Sequence, residues 1–330
     1  MRIFLAGDSV TGTGPANVTK YYIENLPAGT LYQKRRGKIA RVPEILINTL
    51  RSDVVIFSGY SRQNILGMKF AKMIGRPCAY LMHGCVEYEN RINREEDEEM
   101  CRIERQFIAL SDVVYAVSPG FCTWLKEYYP EYAHKFDYIP NGIDESLLKV
   151  TSKERDMHMI LSVGGGMPRK KIRVICKAVE ILRKEYDADM YLTVIGDTGA
   201  DSEEIDSYPF VDNRGIVGFE ESVRLMQTAA VFVQNSCFET FGLAPLEAIG
   251  CGCATLITKE AGALCLFENL LPNDVIEDFE DPAEIAQKIK NLREKSNAGR
   301  LLGELNWEKN TWKMRSQMLL SKLSELAKMK

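Results

Sequence analysis

The feature that most restricts what this chain can fold into is a repeated alternation of short apolar runs with helical patterns. In the first half, Arg2–Ala6 (RIFLA), Val54–Ser58 (VVIFS), Cys78–Met82 (CAYLM), Val113–Val117 (VVYAV) and Phe136–Ile139 (FDYI) read as strands, with amphipathic stretches such as Asn64–Ile74 and Glu95–Ala109 between them. The second half repeats the plan. Met159–Val163, Met190–Ile195, Val231–Gln234 and Ala254–Ile257 read as strands, and Ile172–Glu185, Glu220–Thr228, Ala244–Ile249 and Pro282–Lys295 read as helices. A strand that is apolar throughout must be covered on both faces, and strands joined through helices pair in parallel. The expected class is therefore α/β, with two parallel sheets each sandwiched by helices.

The length of 330 residues also suggests two domains. The boundary is expected between Pro140-Asn141-Gly142-Ile143-Asp144, where Asn-Gly supplies a turn, and the polar stretch Thr151–Met157. This gives an N-terminal domain 1–150, a C-terminal domain 151–308 and a final amphipathic helix 309–330. The tail from Trp307 carries Trp312, Leu319, Leu320, Leu323 and Leu326 on its apolar face.

The net charge of −4 argues against a nucleic-acid partner. The charge divides unevenly: residues 1–150 carry 19 basic and 18 acidic side chains, and residues 151–330 carry 23 and 28. The nine cysteines include no C-x-x-C pair and several lie in apolar runs, so reduced, buried thiols are expected and no metal site. The opening MRIFLAGDSV reads as a strand and no run approaches a membrane span, so a cytoplasmic location is expected. Lys34–Arg41 (KRRGKIAR) holds five basic residues and no acid. Solvated surface is its plain reading. Contact of Lys34, Arg35, Arg36, Lys38 and Arg41 with anionic lipid, at the inner membrane face, is the sharper one. The acidic run Glu95–Glu99 reads as a solvated helix face.

The segment Ser236–Gly252 (SCFETFGLAPLEAIGCG) carries the most chemistry. It follows an apolar strand, turns at Gly242 and opens a helix whose first amides lack intrahelical acceptors, a ready place for phosphate. Glu239 precedes the turn and Glu247 lies about one turn into the helix. A carboxylate only accepts hydrogen bonds, and its two oxygens suit a vicinal diol. Two carboxylates flanking a phosphate-binding helix start fit a nucleotide sugar, one for the sugar and one for the ribose. The plain reading is two solvated surface residues.

The spacing Glu239-x7-Glu247, with Phe241-Gly242-Leu243 and Leu246-Glu247-Ala248 inside it, resembles the E-x7-E motif of glycosyltransferase family 4. Other elements resemble that family in the same order. They are Gly12-Thr13-Gly14-Pro15-Ala16-Asn17 after the first strand, His83-Gly84, Val117-Ser118 and Pro140-Asn141-Gly142-Ile143-Asp144. The resemblance covers essentially the whole chain. It implies the GT-B fold: two Rossmann-like domains with parallel sheets facing across a cleft, and a C-terminal helix crossing back to the first domain. It also implies retention of anomeric configuration, with a nucleotide sugar as substrate and no separate cofactor or metal.

Ser162–Lys171 (SVGGGMPRKK) follows the first strand of the second half. Glycine-rich backbone there would let phosphate oxygens approach, with Arg169, Lys170 and Lys171 supplying charge. By resemblance, Lys170 contacts the donor diphosphate. The family's usual arginine after the first glycine, Gly164, is Gly165 here, so Arg169 is the candidate to replace it. The resemblance places His83 toward the donor sugar, Gly14 and Asn17 in the first-domain donor loop, and the nucleotide base near Ile216-Val217-Gly218-Phe219 through backbone groups. His83 also has the plainer reading of a satisfied structural histidine, and Gly14 and Asn17 that of an ordinary turn. Asn235-Ser236 stands where the family often has Pro-Ser. The expected catalytic set is Glu239, His83 and Lys170. The expected donor-binding set is Gly14, Asn17, Gly164, Arg169, Lys170, Val217, Phe241, Gly242, Leu243 and Glu247.

The reading that follows is transfer of a sugar from a UDP- or GDP-sugar to a hydroxyl of a glycan or lipid-linked saccharide. The alternative that keeps the fold is a sugar phosphorylase or nucleotide-sugar epimerase. A non-catalytic partner subunit would not need the Glu239, Glu247 and Lys170 set. A nicotinamide-dependent oxidoreductase would need G-x-G-x-x-G, and Gly164-Gly165-Gly166 is followed instead by Met167-Pro168-Arg169. Asp187-Ala188-Asp189 sits at an expected helix–strand turn and reads as surface.

Overall fold

The computed structural model describes residues 1–35, 37–146 and 154–328. It divides into two compact units. The first comprises Met1–Tyr88, Glu96–Ile143 and Glu308–Lys330, the second Glu89–Glu95 and Asp144–Trp307. The first unit thus leaves its second segment at Ile143, whereas the sequence places the boundary at 150/151, outside the described residues. The short stretch Glu89–Glu95 groups with the second unit, which a continuous first domain does not anticipate.

The first unit is built on six parallel strands, β1 (Ile3–Gly7), β2 (Leu31–Tyr32), β3 (Val54–Ser58), β4 (Cys78–Met82), β5 (Val113–Ala116) and β6 (Phe136–Tyr138). Their order is β2-β1-β3-β4-β5-β6. Every residue of β1, β3 and β4 is buried. Pairing of Gly7 with Ser58 and of Ser58 with Leu81 aligns the carboxyl ends of β1, β3 and β4, where ligands collect in parallel sheets. Gly7 is required there, because a Cβ would lie 2.8 Å from Ser58 Cβ. The buried Glu104, on the helix Glu98–Leu110, accepts from the Tyr80 hydroxyl at 3.2 Å and the Val86 amide at 2.8 Å, fixing the turn after β4 that holds His83.

The C-terminal segment forms helices Trp307–Asn310 and Trp312–Lys328, and from Glu308 onward it belongs to the first unit. Trp312 stacks on Tyr21 at 4.7 Å, and a Cβ on Gly142 would lie 2.7 Å from the Trp312 nitrogen. The glycine of Pro140-Asn141-Gly142 is thereby explained: it admits the returning helix.

The second unit has six parallel strands, β7 (Asp156–Val163), β8 (Tyr191–Ile195), β9 (Val211–Asn213), β10 (Ala229–Gln234), β11 (Ala254–Thr258) and β12 (Val275–Ile276), in the order β12-β11-β10-β7-β8-β9. The order reverses between β7 and β10, and the loops leaving these two adjacent strands carry the basic and acidic motifs. One core lies under the helices Ile172–Glu185 and Pro282–Glu294 and is filled by Val179, Leu192, Val231 and Ile289. The other, around Phe232 and Ala248, lies on the helices Phe219–Thr228 and Ala244–Gly250. Among the cysteines, Cys101 and Cys237 are half-buried and Cys265 is exposed, so burial is not uniform as the sequence suggested.

Candidate active site

In the second unit the carboxyl end of β7 leads through Gly164–Met167 into the one-turn helix Pro168–Lys170, and Lys171 adopts a left-handed conformation before the helix Ile172–Glu185. The carboxyl end of β10 leads into Ser236–Glu239. The Cys237 amide donates to the Arg169 carbonyl at 2.9 Å, which holds the two loops together. The Arg169 amide donates to Asn93 Oδ1 at 3.2 Å. Glu239 is anchored by a bridge to Ala261 and by the Gly262 amide, which donates to its carbonyl at 3.0 Å.

This register brings Lys170 Nζ to 2.5 Å from Glu239 Oε2. Arg169 Nη1 lies 3.7 Å from the same oxygen, and the Gln234 amide and the Ser236 hydroxyl donate to it at 3.0 and 3.2 Å. Arg169 Nε is also 3.7 Å from Glu89. Burial pushes the Glu239 carboxyl up, but Lys170 and Arg169 outweigh it and hold the group below the ordinary glutamate range. Burial draws the Lys170 ammonium below its ordinary value despite Glu239. For Arg169, burial is outweighed by Glu89 and Glu239, so its charge is reinforced. The result is a nearly buried carboxylate facing two cations.

The three glycines work differently from the expectation of a phosphate-cradling backbone. The Gly164 and Gly165 amides donate to the Ile195 carbonyl at 2.7 and 3.1 Å, and that of Gly166 donates to the Asp197 carbonyl at 2.9 Å. Those donors are consumed inside the fold. A Cβ on Gly164 would lie 2.4 Å from Lys170 Cγ, so Gly164 makes room for Lys170 rather than presenting an N–H group. A Cβ on Gly165 would lie 1.9 Å from the Asp197 carbonyl oxygen, which is why an arginine has no place there. Four residues on, the Arg169 guanidinium reaches Glu239.

Gly242 has φ +90°, and a Cβ there would meet the Gln234 side chain at 3.0 Å and Glu239 Cγ at 3.1 Å. The helix Ala244–Gly250 that follows has no side-chain cap, but its start offers fewer donors than the sequence suggests: Pro245 carries no N–H, and the Leu246 and Glu247 amides donate to the Leu243 carbonyl at 3.0 and 3.1 Å. Glu247 lies in it, as the spacing predicts. Burial and the neighbouring Asp144 push its carboxyl up to about 7. Phe241 is buried and Val217 packs against the core around Phe232, so any part they take in binding falls to their backbone. Leu243 is half-buried at the cap position.

In the first unit, Thr13 caps the helix Gly14–Asn25, so Gly14 and Asn17 stand in its first turn. No atom lies within 4 Å of a Cβ built on Gly14, so packing does not demand glycine there. His83 Nε2 lies 2.8 Å from Ser58 Oγ, which lies 2.7 Å from Thr19 Oγ1, and Thr19 donates to the Pro15 carbonyl at 2.9 Å. Burial pushes the imidazole down to about 4, so it is neutral at physiological pH.

Sequence reasoning did not single out Gln234, Ser58, Thr19, Asn93 or Glu89, and it named Asp144 only as the end of the Pro140–Asp144 element. Gln234 leaves one signal, a polar residue closing the otherwise apolar AAVFVQ. In the basic segment, Lys34 and Arg35 are exposed and Arg41 is half-buried, close enough to Asp8 and Glu44 to interact with both. Arg36 and the Lys38 side chain lie outside the described residues. His158, Asp187 and Asp189 approach one another within 4.8 Å, but Asp187 is bound by Arg293 at 2.6 Å, which favours the surface reading of Asp187-Ala188-Asp189. No helix among the described residues is long and apolar enough to cross a membrane.

Residues 144–305 match the family model Glycosyl transferases group 1, and residues 4–147 match Glycosyltransferase Family 4. A curated relative, the D-inositol 3-phosphate glycosyltransferase of Paenarthrobacter aurescens, is 24% identical over 230 residues, covering 63% of this chain. The chain spans only 56% of that relative's length. Anabaena HepE, solved with UDP and glucose, superposes with a TM-score of 0.71 at 15% identity, covering 98% of this chain and 100% of that one. The sucrose-phosphate synthase of Thermosynechococcus elongatus superposes with a TM-score of 0.70 at 16% identity, covering 100% of both. The two family models run in succession over nearly the whole sequence, each on the unit that carries its motifs, and the chain belongs to glycosyltransferase family 4, with the GT-B fold.

Proposed function

We propose that the chain transfers a glycosyl group from a UDP- or GDP-sugar to a hydroxyl of a glycan or lipid-linked saccharide, with retention of configuration and without a metal. The observation that carries this reading is the contact of Lys170 and Arg169 with Glu239 Oε2 at 2.5 and 3.7 Å. Two nearly buried cations that share the Glu239 carboxylate, with Glu89 also beside Arg169, are prepared for a diphosphate. When the donor binds, the diphosphate takes the place of Glu239 as their counter-charge, and Glu239 turns to accept from sugar hydroxyls. Glu247 accepts from the ribose diol. At the helix start, the backbone amides ahead of Pro245, from Gly242 to Ala244, add to the phosphate.

Bond breaking places negative charge on the leaving diphosphate, where fixed cations lower the barrier most. The departing oxygen then takes the proton of the acceptor hydroxyl on the same face of the sugar, through an oxocarbenium-like transition state. Attack on the face the leaving group vacates gives retention. The first unit supplies the acceptor side, and its neutral His83 orients the sugar rather than taking the proton.

The D-inositol 3-phosphate glycosyltransferase likeness and the UDP-bound structural neighbour support a nucleotide-sugar donor. A thermal-shift panel of nucleotide sugars in EDTA tests the reading. A ligand that binds only the folded state raises stability by RT ln(1 + [L]/Kd), so one donor should stand out. No shift from any nucleotide sugar would overturn it. Release of nucleoside diphosphate only when acceptor is present separates transfer from epimerase chemistry.

A further inference from the structure

The helix Lys38–Arg51 buries Ile45 and Thr49 fully, yet Ile39, Ile47 and Leu50 on its other face are 90%, 53% and 60% exposed. Pro43, also exposed, falls between them at helical spacing. The helix Arg62–Met73 lies alongside, in contact through Gly67, where a Cβ would sit 2.3 Å from Ile45 Cγ2. It too turns apolar side chains outward, Leu66 at 47% and Met73 at 74%, with exposed Lys69 between them. A helix on a protein surface ordinarily points polar residues at water, and a contiguous apolar face marks an interaction site.

The unpaired charges on and beside the first helix are cationic, whereas Arg62 at the start of the second is paired with Glu99 of the neighbouring helix Glu98–Leu110. Lys34 and Arg35 are exposed just before the first helix, and Arg51 is exposed at its end. Glu44, the only acid in either helix, accepts the backbone amides of Lys34 and Arg35 at 3.0 and 2.9 Å. Apolar stripes bordered by cations match the boundary of an anionic bilayer, where acyl chains cover the stripe and headgroups meet the charges. A symmetric contact with a second copy would set the same cations near one another. The longer helix, 14 residues, is about 21 Å long, enough to lie in the interface and too short to span it.

We propose that this two-helix face, rather than the basic segment alone, docks the chain on anionic membrane. The inference deepens the reading of a lipid-linked acceptor and places the acceptor-binding unit at the bilayer surface.

Flotation of the full chain with phosphatidylglycerol/phosphatidylcholine vesicles tests it. The chain should float with these vesicles, much less with pure phosphatidylcholine, and less as salt rises. Ile39→Glu/Leu50→Glu should reduce the bound fraction about tenfold or more, because it removes apolar burial and adds repulsion. Lys69→Glu should reduce it less. Both sites are exposed, so melting temperature and nucleotide-sugar protection measured without vesicles should stay unchanged. That second readout reports on the donor site alone and keeps failure of the two readings apart. Equal flotation of the double variant, or none of the wild type, would overturn the proposal. A concentration-dependent dimer abolished by the same substitutions would overturn it in favour of a second copy.

Discussion

Ser58 Oγ lies 2.8 Å from His83 Nε2 and 2.7 Å from Thr19 Oγ1, whose own proton goes to the Pro15 carbonyl at 2.9 Å. A carbonyl can only accept, so the direction of the whole chain is set from that end. Thr19 donates to Pro15, Ser58 donates to Thr19, and His83 donates from Nε2 to Ser58. The imidazole is thereby held in the tautomer that carries its proton on Nε2.

This relay predicts a neutral Nε2–H imidazole over the physiological range. Nitrogen NMR of His83 should show that tautomer and a protonation midpoint near 4. A midpoint near 6.5, the ordinary histidine value, would contradict it. The depressed value also means that this residue's contribution to stability is present above about 6.5 and is lost as pH falls toward 4.

The Lys170–Glu239 pair predicts an unusual response to nucleotide. Glu239→Gln leaves nearly buried Lys170 without its carboxylate and Arg169 with Glu89 alone, and should destabilise the free chain by about 3 kcal/mol. A nucleoside diphosphate restores the missing charge. UDP or GDP should therefore raise the melting temperature more in Glu239→Gln than in the wild type, while turnover falls. An equal or smaller shift in the variant would argue that the cations do not face the diphosphate.

Position 165 should not tolerate the arginine usual in the family. Gly165 has φ +54°, and a Cβ would overlap the Asp197 carbonyl. Gly165→Arg should lower the stability of the second unit by at least about 2 kcal/mol in urea unfolding. An unchanged midpoint would show that the loop can shift and that the departure from the family is not steric.

Glu247 should make the chain less stable at high pH than it would otherwise be. Its folded value near 7 lies above the ordinary 4.5, so the protonated form is favoured on folding. The stability this protonation supplies is full below about 4.5 and is lost as pH rises through about 7. Glu247→Gln should thus gain roughly 1–3 kcal/mol on the wild type at pH 8 and almost nothing at pH 4. The same variant should bind donor more weakly at every pH where the wild type is ionised. Parallel stability curves for the two proteins would refute the buried carboxyl.

Sequence pattern was enough for the buried strands and the longer helices. The runs 54–57 and Cys78–Met82 are apolar throughout and end where polar residues begin, and Ile172–Glu185 shows its period over four turns. The edge strands Leu31–Tyr32, Val211–Asn213 and Val275–Ile276 are too short to carry a period, and the helix Gly14–Asn25 hides behind a Gly-Pro start. At the site, the Glu239–Glu247 spacing is local and legible. The Lys170–Glu239 contact joins residues 69 apart and exists only because β7 and β10 are neighbours. The three glycines looked like a phosphate cradle because composition does not reveal that their amides are spent on Ile195 and Asp197.

Retaining transfer at the Glu239–Lys170 site is the central claim, and the stereochemistry of donor cleavage tests it most directly. With the donor identified by its thermal shift and with water as acceptor, proton NMR can follow the first sugar released before it mutarotates. An α-linked nucleotide sugar should give the α-sugar first, with one nucleoside diphosphate per sugar. EDTA should leave the rate unchanged, and Lys170→Ala should slow it about 10²–10³-fold. A β-sugar appearing first, or activity that vanishes in EDTA and returns with Mg²⁺, would contradict the account.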